Sequence, residues 1–290
     1  MKNWMKCSIA AALAAAALIS GGCGGQSGDA SGEIEQENAQ GDQSNLKTIV
    51  SRFKAEKPKL ICAIATPAAQ AAANEIKDIP IVGTAITDYT SAKLVQNDER
   101  PGGNVTGVSD FAAMDAQMEL AAKLIPQAKH VGLIYCSSEV NSEVQANQMK
   151  DYCKKHGLAV EERTVNNVND IQQVAESLIG KVDYIYVPTD NTLASSIPTL
   201  MKITDANKIP VIVGADIMAK DGALAALSVD YYRLGKQTGE LAADILDGKV
   251  KPETSPIQHQ KDYTIVINKQ DAEILGLTIP EEIAKKANMV

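Results

Sequence analysis

Short apolar runs alternate with longer helical patterns along this chain, and the alternation limits the folds that it can adopt. The runs are rich in β-branched residues and are Leu60–Ala65, Ile81–Val82, Val131–Tyr135, Val160–Val165, Tyr184–Val187, Val211–Val213 and Leu224–Val229. Between them, apolar residues recur at the spacing of an amphipathic helix. Such alternation is typical of βαβ units, in which helices cover both faces of a parallel sheet. The sequence therefore predicts an α/β protein built on parallel sheets.

Small polar residues precede the predicted helices, where their side chains can accept hydrogen bonds from free backbone N–H groups. These candidate caps are Thr66-Pro67, Asn141-Ser142, Asn169-Asp170 and Asp190-Asn191-Thr192. Pro198 lies inside the fourth of these helical patterns and predicts a kink or a break there, because proline has no N–H to donate.

The chain is long enough for two lobes. A turn at Pro101–Asn104 followed by the strand-like Val105–Val108 indicates where it leaves the first one. We expect a first lobe of residues 36–109, a second lobe of residues 110–229, and a segment of residues 230–290 that returns to the first lobe.

The N-terminal residues 1–22 have the pattern of a secretory signal peptide. Lys2 and Lys6 precede an apolar run that is too short to span a membrane, and small residues lead to Cys23. Ser20-Gly21-Gly22-Cys23 resembles a bacterial lipobox, so we expect a lipid on the Cys23 thiol and a flexible tether over residues 23–35. Because Ser20 stands where a lipobox usually has Leu, cleavage without lipid attachment is the alternative. Either outcome places the protein outside the cytoplasm.

The formal net charge of −8 argues against nucleic acid as a partner, because an acidic surface repels phosphate. The three histidines are isolated and lack the spacing of a metal site. Cys62, Cys136 and Cys153 show no metal-ligand spacing either, and we expect buried free thiols. We therefore predict no metal and no cofactor.

No catalytic motif stands in a strand-to-helix context, which makes an enzyme a weak hypothesis. Instead, polar residues gather at the carboxyl ends of the strands, the edge where open α/β sheets bind ligands. Helix N-termini at Thr66, Ser138–Ser142 and Asp190–Thr192 would suit a carboxylate. An acid such as Asp88, Asp190 or Asp216 would suit an ammonium group. Together these features predict a site for a zwitterion.

Several longer segments carry a specific resemblance. They are NAQGDQSNL (Asn38–Leu46), AIATPAAQA (Ala63–Ala71), KDIPIVGTAITD (Lys77–Asp88), PGGNVTGVSD (Pro101–Asp110), KVDYIYVPTDNT (Lys181–Thr192), KIPVIVGAD (Lys208–Asp216), GALAALSVDYYRLGKQTG (Gly222–Gly239) and LGLTIPEEI (Leu275–Ile283). From Asn38 to its end, the chain resembles ABC-transporter substrate-binding proteins of the tryptophan/tyrosine-transport type.

The resemblance implies a type I periplasmic-binding fold, in which two Rossmann-like lobes joined by three crossovers close on a small ligand. It implies delivery of that ligand, an aromatic amino acid in several members, to a membrane permease and its ATPase. Carried over by resemblance, the ligand-binding residues would be Thr66, Thr87, Asp88, Ser109, Ser138, Asn141, Asp190, Asn191 and Asp216.

The chain departs from the family pattern at its start. Members of the family have a strand and a long helix before the segment that matches NAQGDQ, and here the tether leads almost directly into that segment. We therefore expect the first lobe to lack its first βα unit. Because a gap in the middle of a sheet would leave backbone groups unpaired, we expect Glu33–Ala39 to pair directly with Leu60–Ala65.

Aromatic residues indicate the ligand only faintly. Trp4 lies in the predicted signal peptide, and Tyr89 and Phe111 are the best candidates to stack on a ligand because each follows a polar pair at a strand end. A sugar-sensing or other small-molecule-binding protein remains an alternative, although the chain has few arginines. A periplasmic hydrolase is a further alternative, but no histidine is placed to act as its base.

Overall fold

In a computed structural model of the chain, the described residues are 15–20, for the backbone alone, and 33–290. The strands of these residues, in chain order, are β1 Ala15–Ser20, β2 Glu33–Asn38, β3 Ile61–Ile64, β4 Ile81–Ile86, β5 Val105–Ser109, β6 His130–Cys136, β7 Ala159–Val165, β8 Tyr184–Val187, β9 Val211–Val213, β10 Ala225–Ser228, β11 Gln258–His259, β12 Thr264–Ile267 and β13 Asn288–Met289. Cys23, the predicted tether up to residue 32 and most of the predicted signal peptide lie outside the described residues.

The helices confirm most of the predicted starts. They are α1 Gln43–Glu56, α2 Thr66–Glu75, α3 Met114–Leu124, α4 Val140–His156, α5 Ile171–Glu176, α6 Asn191–Ala194, α7 Ile197–Ala206, α8 Asp216–Lys220, α9 Tyr231–Leu246, α10 Lys269–Leu275 and α11 Glu281–Ala284. The break predicted at Pro198 is present, since α6 ends at Ala194 and α7 begins at Ile197. Pro198 stands in the first turn of α7, where its missing N–H would have no intrahelical partner.

Two separate sheets make up two lobes. The strand order is β11-β5-β4-β3-β1-β2 in the first sheet and β13-β12-β10-β9-β8-β6-β7 in the second. Parallel pairing dominates both sheets, as expected from the alternating pattern. The predicted α/β class with two lobes is confirmed.

The first sheet differs from the prediction at the position of the expected gap. β2 does not pair with β3, because β1 lies between them and runs antiparallel to both. The expected direct pairing of Glu33–Ala39 with Leu60–Ala65 is therefore wrong. A position inside a sheet needs partners on both sides, and residues 15–20, assigned from the sequence to the signal peptide, supply them in this structure.

The C-terminal segment also differs from the prediction. β12 pairs antiparallel with β10 and parallel with β13, so residues 264–290 belong to the second sheet. The segment from α9 to β11 returns to the first lobe, where α9 packs on β4 and β11 pairs with β5. The apolar spacing of Thr264–Ile267 predicts a strand but does not say which sheet it joins. The chain thus crosses between the lobes after β5, after β10 and after β11.

Each lobe has its own apolar core between the sheet and its helices. Cys62, Cys136 and Cys153 carry free thiols, as predicted; Cys136 and Cys153 are buried, whereas Cys62 is only half-buried. Among the described residues, no helix combines the length and the apolar character that a membrane crossing needs. The carboxyl ends of the parallel strands of both lobes face each other across a cleft.

Candidate functional site

The cleft between the lobes has a volume of about 420 Å³. Both sheets contribute to its walls through residues that follow strands β3, β4, β5, β8, β9 and β10. The lining residues are Ile64, Ala65, Ala85, Thr87, Asp110, Asn141, Thr189, Asp190, Asn191, Ala194, Ala215, Asp216, Ile217, Met218, Lys220, Asp230, Tyr231 and Tyr232. This volume and the largely apolar wall suit one small organic molecule held by a few polar groups.

Asp110 is the buried acid of this cleft and follows β5 directly. One carboxylate oxygen accepts a hydrogen bond from the Thr87 hydroxyl at 3.1 Å, and the other accepts one from the Tyr231 hydroxyl at 2.9 Å. Burial raises the pKa of Asp110, and these two bonds act in the opposite direction. None of the ion pairs among residues 33–290 includes Asp110. A buried carboxylate without a cation is unfavourable, so this group is suited to receive one from a ligand.

Asn141, in the first turn of α4, lies on the opposite wall and is almost fully buried. Its amide nitrogen donates to the backbone oxygen of Thr189 at 2.9 Å, which fixes the direction of the side chain. Its amide oxygen Oδ1 is buried and makes no hydrogen bond. Because a buried acceptor without a donor is destabilising, this oxygen is a second group that a ligand N–H could satisfy.

The N-terminus of α6 is filled by side chains of the protein itself. The carboxylate of Glu139 accepts hydrogen bonds from the N–H and side-chain amide of Asn191 and from the N–H and hydroxyl of Thr192, at 2.6–2.9 Å. Asp190 caps the same helix by accepting from the N–H of Leu193 at 2.8 Å. The N–H groups that the sequence predicts to be free for a ligand carboxylate are therefore already bonded.

Asp190 is also fully engaged through its second carboxylate oxygen, which accepts from the backbone N–H of Cys136 at 2.7 Å. Burial and, to a lesser extent, the charge of Glu139 raise the pKa of Asp190 to about 7. Asp190 lines the cleft, but its hydrogen bonds tie β6 to α6. Its geometry is that of a helix cap that also joins two neighbouring strand ends.

The two other acids predicted to hold an ammonium group have different surroundings. Asp216 lies in the cleft at the start of α8 but forms an ion pair with Lys220 one turn later. Asp88 does not line the cleft; it accepts a hydrogen bond from the N–H of Ser91 at 2.8 Å and so stabilises a turn. Asp110 is therefore the buried acid of the cleft that neither caps a helix nor forms an ion pair among the described residues.

Three further predicted residues do not line the cleft. Thr66 is buried in the first turn of α2, directly after the lining residue Ala65. The Ser109 hydroxyl donates to the backbone oxygen of Thr87 at 2.9 Å and so supports the end of β4. Ser138 lies in a neighbouring, more polar cavity of about 320 Å³. Of the nine predicted residues, the structure brings together Thr87, Asn141, Asp190, Asn191 and Asp216.

The aromatic residues of the cleft are not the two that the sequence favours. Tyr89 is buried in the core, where its hydroxyl donates to the backbone oxygen of Val108 at 3.1 Å, and Phe111 does not line the cleft. Tyr231 and Tyr232, at the start of α9, line it instead. Tyr231 faces Asp110, whereas Tyr232 is 84% exposed at the opening.

The backbone at the cleft is strained at two alanines. Ala65, after β3, has φ 77° and ψ 152°, a combination that is almost restricted to glycine. Ala85, within β4, has φ 53°. Both line the cleft, and Ala65 is also the N-cap of α2, which has no side-chain cap. The first turn of α2 therefore presents N–H groups that no capping side chain satisfies.

Sequence reasoning missed Gln145 and did not choose Asp110 or Thr189 among the polar residues at strand ends. Gln145 lies in the middle of α4, and nothing in its local sequence distinguishes it from a surface glutamine. Asp110 directly follows the buried run of β5, and that position is a signal that could have favoured it over Ser109. Among the described residues, no group of three or more acids, cysteines and histidines could hold a metal ion.

A family model described as "ABC transporter substrate binding protein" matches residues 25–290. The chain belongs to this family. It is 42% identical over 245 residues to a tyrosine-binding protein from Clostridioides difficile (strain R20291), covering 84% of this chain and 71% of the relative. Members of the family are binding components of transporters, and the two-lobed type I periplasmic-binding fold agrees with that role. Structures at 12% and 15% identity share the fold alone, with TM-scores of 0.54 and 0.50.

Two solved relatives of similar sequence identity superpose on this structure with different TM-scores. An ABC domain from Streptococcus pneumonia in complex with L-Trp is 41% identical, with 88% of this chain and 86% of that chain covered and a TM-score of 0.84. A ligand-free, open substrate-binding protein with adhesive properties from Clostridium difficile is 42% identical, with 88% and 85% covered, but its TM-score is 0.66. At nearly equal identity and coverage, this structure therefore superposes better on the L-Trp complex than on the ligand-free, open structure.

Proposed function

We propose that this protein binds an aromatic L-amino acid as a zwitterion between its lobes, outside the cytoplasm, and delivers it to the permease and ATPase of an ABC importer. The observation that carries this proposal is the buried carboxylate of Asp110, which lies in the cleft without a cation. Family membership and the similarity to proteins that bind tyrosine and L-Trp support the ligand class.

The ammonium group of the ligand would lie between the two lobes. It would donate one hydrogen bond to the carboxylate of Asp110 and another to Oδ1 of Asn141, the buried acceptor that lacks a donor. A charge-assisted hydrogen bond of this kind is about twice as strong as a neutral one. It also removes the unfavourable state of a buried charge without a partner.

The carboxylate of the ligand would lie near the first turn of α2. Ala65 has no side chain that could cap this helix, and the positive end of the helix dipole favours an anion. The N-terminus of α6 is filled by Glu139 and Asp190, so α2 is the better place for the ligand carboxylate.

The side chain of the ligand would contact the apolar part of the wall. Ile64, Ala194, Ala215, Ile217 and Met218 contribute to this part, and most of the lining surface is apolar. An aromatic ring fits such a wall because it buries a large apolar area.

Calorimetric titration with the twenty amino acids tests the proposal. We expect heat of binding with L-Trp, L-Tyr or L-Phe, and Asp110→Asn should weaken that binding about 30-fold or more, which is about 2 kcal/mol. The matched control is Asp88→Asn, because Asp88 is also an acid after a first-lobe strand but stabilises a turn outside the cleft. Binding of a sugar and of no amino acid would contradict the proposal.

The extracytoplasmic location and the lipid anchor rest on the N-terminal sequence, and cleavage before Cys23 would remove β1 from between β2 and β3 in the mature protein. Cys23 follows Ser20-Gly21-Gly22 at the end of a short apolar run, as expected for a lipidated cysteine. Labelling cells with radioactive palmitate should label the wild-type protein but not Cys23→Ala, which should leave the membrane fraction. A Cys23→Ala protein that stays in the membrane fraction would contradict lipid anchoring.

A further inference from the structure

Gln145 connects the two lobes although it lies in the middle of a second-lobe helix. Its side chain is fully buried on α4. The amide oxygen accepts a hydrogen bond from the backbone N–H of Thr189 at 2.8 Å, which holds the loop after β8 in the same lobe. The amide nitrogen points to the hydroxyl oxygen of Thr87 in the first lobe, at 3.5 Å. Gln145 thus makes a polar contact across the base of the cleft.

The directions of these hydrogen bonds are fixed by the chemistry of the groups. The carboxylate of Asp110 can only accept, so the single hydroxyl hydrogen of Thr87 is directed to it. The hydroxyl oxygen of Thr87 can then only accept a further bond, and Gln145 supplies the N–H. The result is a continuous series of hydrogen bonds from Thr189 in the second lobe to Asp110.

We infer that Gln145 is a positioning residue that couples the group holding the ligand's ammonium to closure of the lobes. This inference rests on the proposed function, because it takes Asp110 as the ammonium-binding group. An ammonium group bound to Asp110 keeps it ionised and keeps the Thr87 hydroxyl directed to it. Thr87 then presents an acceptor to Gln145, and that contact exists only when the lobes are close together.

Because Gln145 is buried, loss of its contact with Thr87 is energetically unfavourable. A buried amide that loses its partner leaves an unsatisfied polar group, which is destabilising. In an opened cleft, the amide nitrogen of Gln145 and the hydroxyl of Thr87 are each without the other. Water can replace both partners there, and closure exchanges that water for the direct contact.

Two substitutions and one matched control test the inference. Gln145→Leu keeps the buried volume but removes both hydrogen bonds, and Gln145→Glu keeps the acceptor for Thr189 but cannot donate to Thr87. The control is Gln117→Leu, because Gln117 is equally buried in the second lobe and bonds only within it, to Tyr186 and to the backbone oxygen of Ala112.

The readouts are the dissociation constant and dissociation rate of radiolabelled L-Trp and the radius of gyration from small-angle X-ray scattering, with and without L-Trp. We expect both Gln145 variants to bind about 10-fold more weakly through faster dissociation, and to show a larger radius of gyration with L-Trp than the wild type. Gln117→Leu should lower the melting temperature but leave dissociation and closure unchanged.

The inference is overturned if Gln145→Leu closes and releases L-Trp like the wild type. It is also overturned if Gln117→Leu loses as much affinity and closure as the Gln145 variants. A Gln145→Glu protein that closes normally would also overturn it, since the direction of the hydrogen bond to Thr87 would then be wrong. If the wild type itself binds no amino acid, the proposed function fails separately. In that case the ligand-free radius of gyration decides: a larger value for Gln145→Leu than for Gln117→Leu supports the contact, and equal values refute it.

Discussion

The hydroxyl of Tyr231 donates a hydrogen bond to the carboxylate of Asp110 at 2.9 Å, although the two residues are 121 positions apart in the chain. Asp110 directly follows β5 and Tyr231 begins α9, so the bond joins two of the three places where the chain crosses between the lobes. The charged group of the cleft is therefore held by the segments that move least when two lobes rotate about their crossovers.

Tyr231→Phe should weaken amino-acid binding about 10-fold, because a hydrogen bond to a charged group contributes about 1.5–3 kcal/mol. The bond from Tyr231 lowers the pKa of Asp110, so its loss should raise that pKa further. As the pH falls, the variant should lose affinity at a higher pH than the wild type does. Calorimetry over a pH series measures both effects, and Tyr184→Phe, a buried tyrosine of the second sheet, is the control. Equal pH profiles for wild type and Tyr231→Phe would contradict the assignment.

Asp190→Ala should lower stability more than affinity. Asp190 accepts from the N–H groups of Cys136 and Leu193, so the variant loses a helix cap and leaves buried donors without acceptors. Loss of the cap alone costs about 1 kcal/mol, and each unsatisfied donor adds about 1–3 kcal/mol. The urea midpoint should fall while the dissociation constant changes less than about threefold. An unchanged midpoint with much weaker binding would instead make Asp190 a ligand for the ammonium group.

Ala65→Gly should stabilise the protein. The φ of 77° and ψ of 152° at Ala65 are strained for alanine by about 1–3 kcal/mol, and glycine adopts them without strain. We expect a rise in melting temperature of about 2–4 °C for each kcal/mol gained. Ala69→Gly, at a buried position inside α2 with ordinary helical geometry, should lower it. A lower melting temperature for Ala65→Gly would show that its side-chain packing outweighs the strain.

Asp271→Asn should change the pH dependence of stability. Burial and the charge of Asp205, which lies beside it in the fold, raise the pKa of Asp271 from its ordinary value of 3.8 to about 7 in the folded protein. The folded state therefore holds a proton more tightly than the unfolded state, and this contribution to stability is lost as the pH rises from about 4 to about 7. The variant should lose less stability than the wild type over this range in urea titrations.

Asp78→Asn, at an exposed position, is the control for the Asp271 variant and should follow the wild-type pH curve. Parallel curves for wild type and Asp271→Asn would show that the carboxyl pair of Asp205 and Asp271 does not share a proton in the folded state.

Much of the fold follows from local sequence patterns, because each strand and helix start depends on neighbouring residues. The break before Pro198 and the cap at Asp190 are of this kind. The sheet that Thr264–Ile267 joins is not, since β12 would bury its apolar side chains in either lobe. The strand that pairs with β3 could not be predicted either, because the residues of β3 do not determine their partner.

The candidate site could likewise be predicted where it depends on local sequence and not where it depends on long-range contacts. Strand ends were sufficient to place Thr87, Asn141 and Asp190 at the cleft, because parallel strands bring their carboxyl ends to one edge. Which acid of the cleft lacks a cationic partner depends on residues that can be far away in the sequence. Lys220 neutralises Asp216, whereas Asp110 meets only hydroxyl groups, from Thr87 and Tyr231. Such partners become visible only when the chain is folded.

The saturated N-terminus of α6 has a consequence for the release of cargo. Glu139 satisfies the N–H groups of Asn191 and Thr192 without any contribution from a ligand. Emptying the cleft therefore exposes no unpaired backbone N–H groups at the start of α6. The penalty of the empty state falls instead on Asp110, on the amide oxygen of Asn141 and on the first turn of α2, so a carrier built this way can alter how tightly it holds its load by changing the surroundings of these few groups.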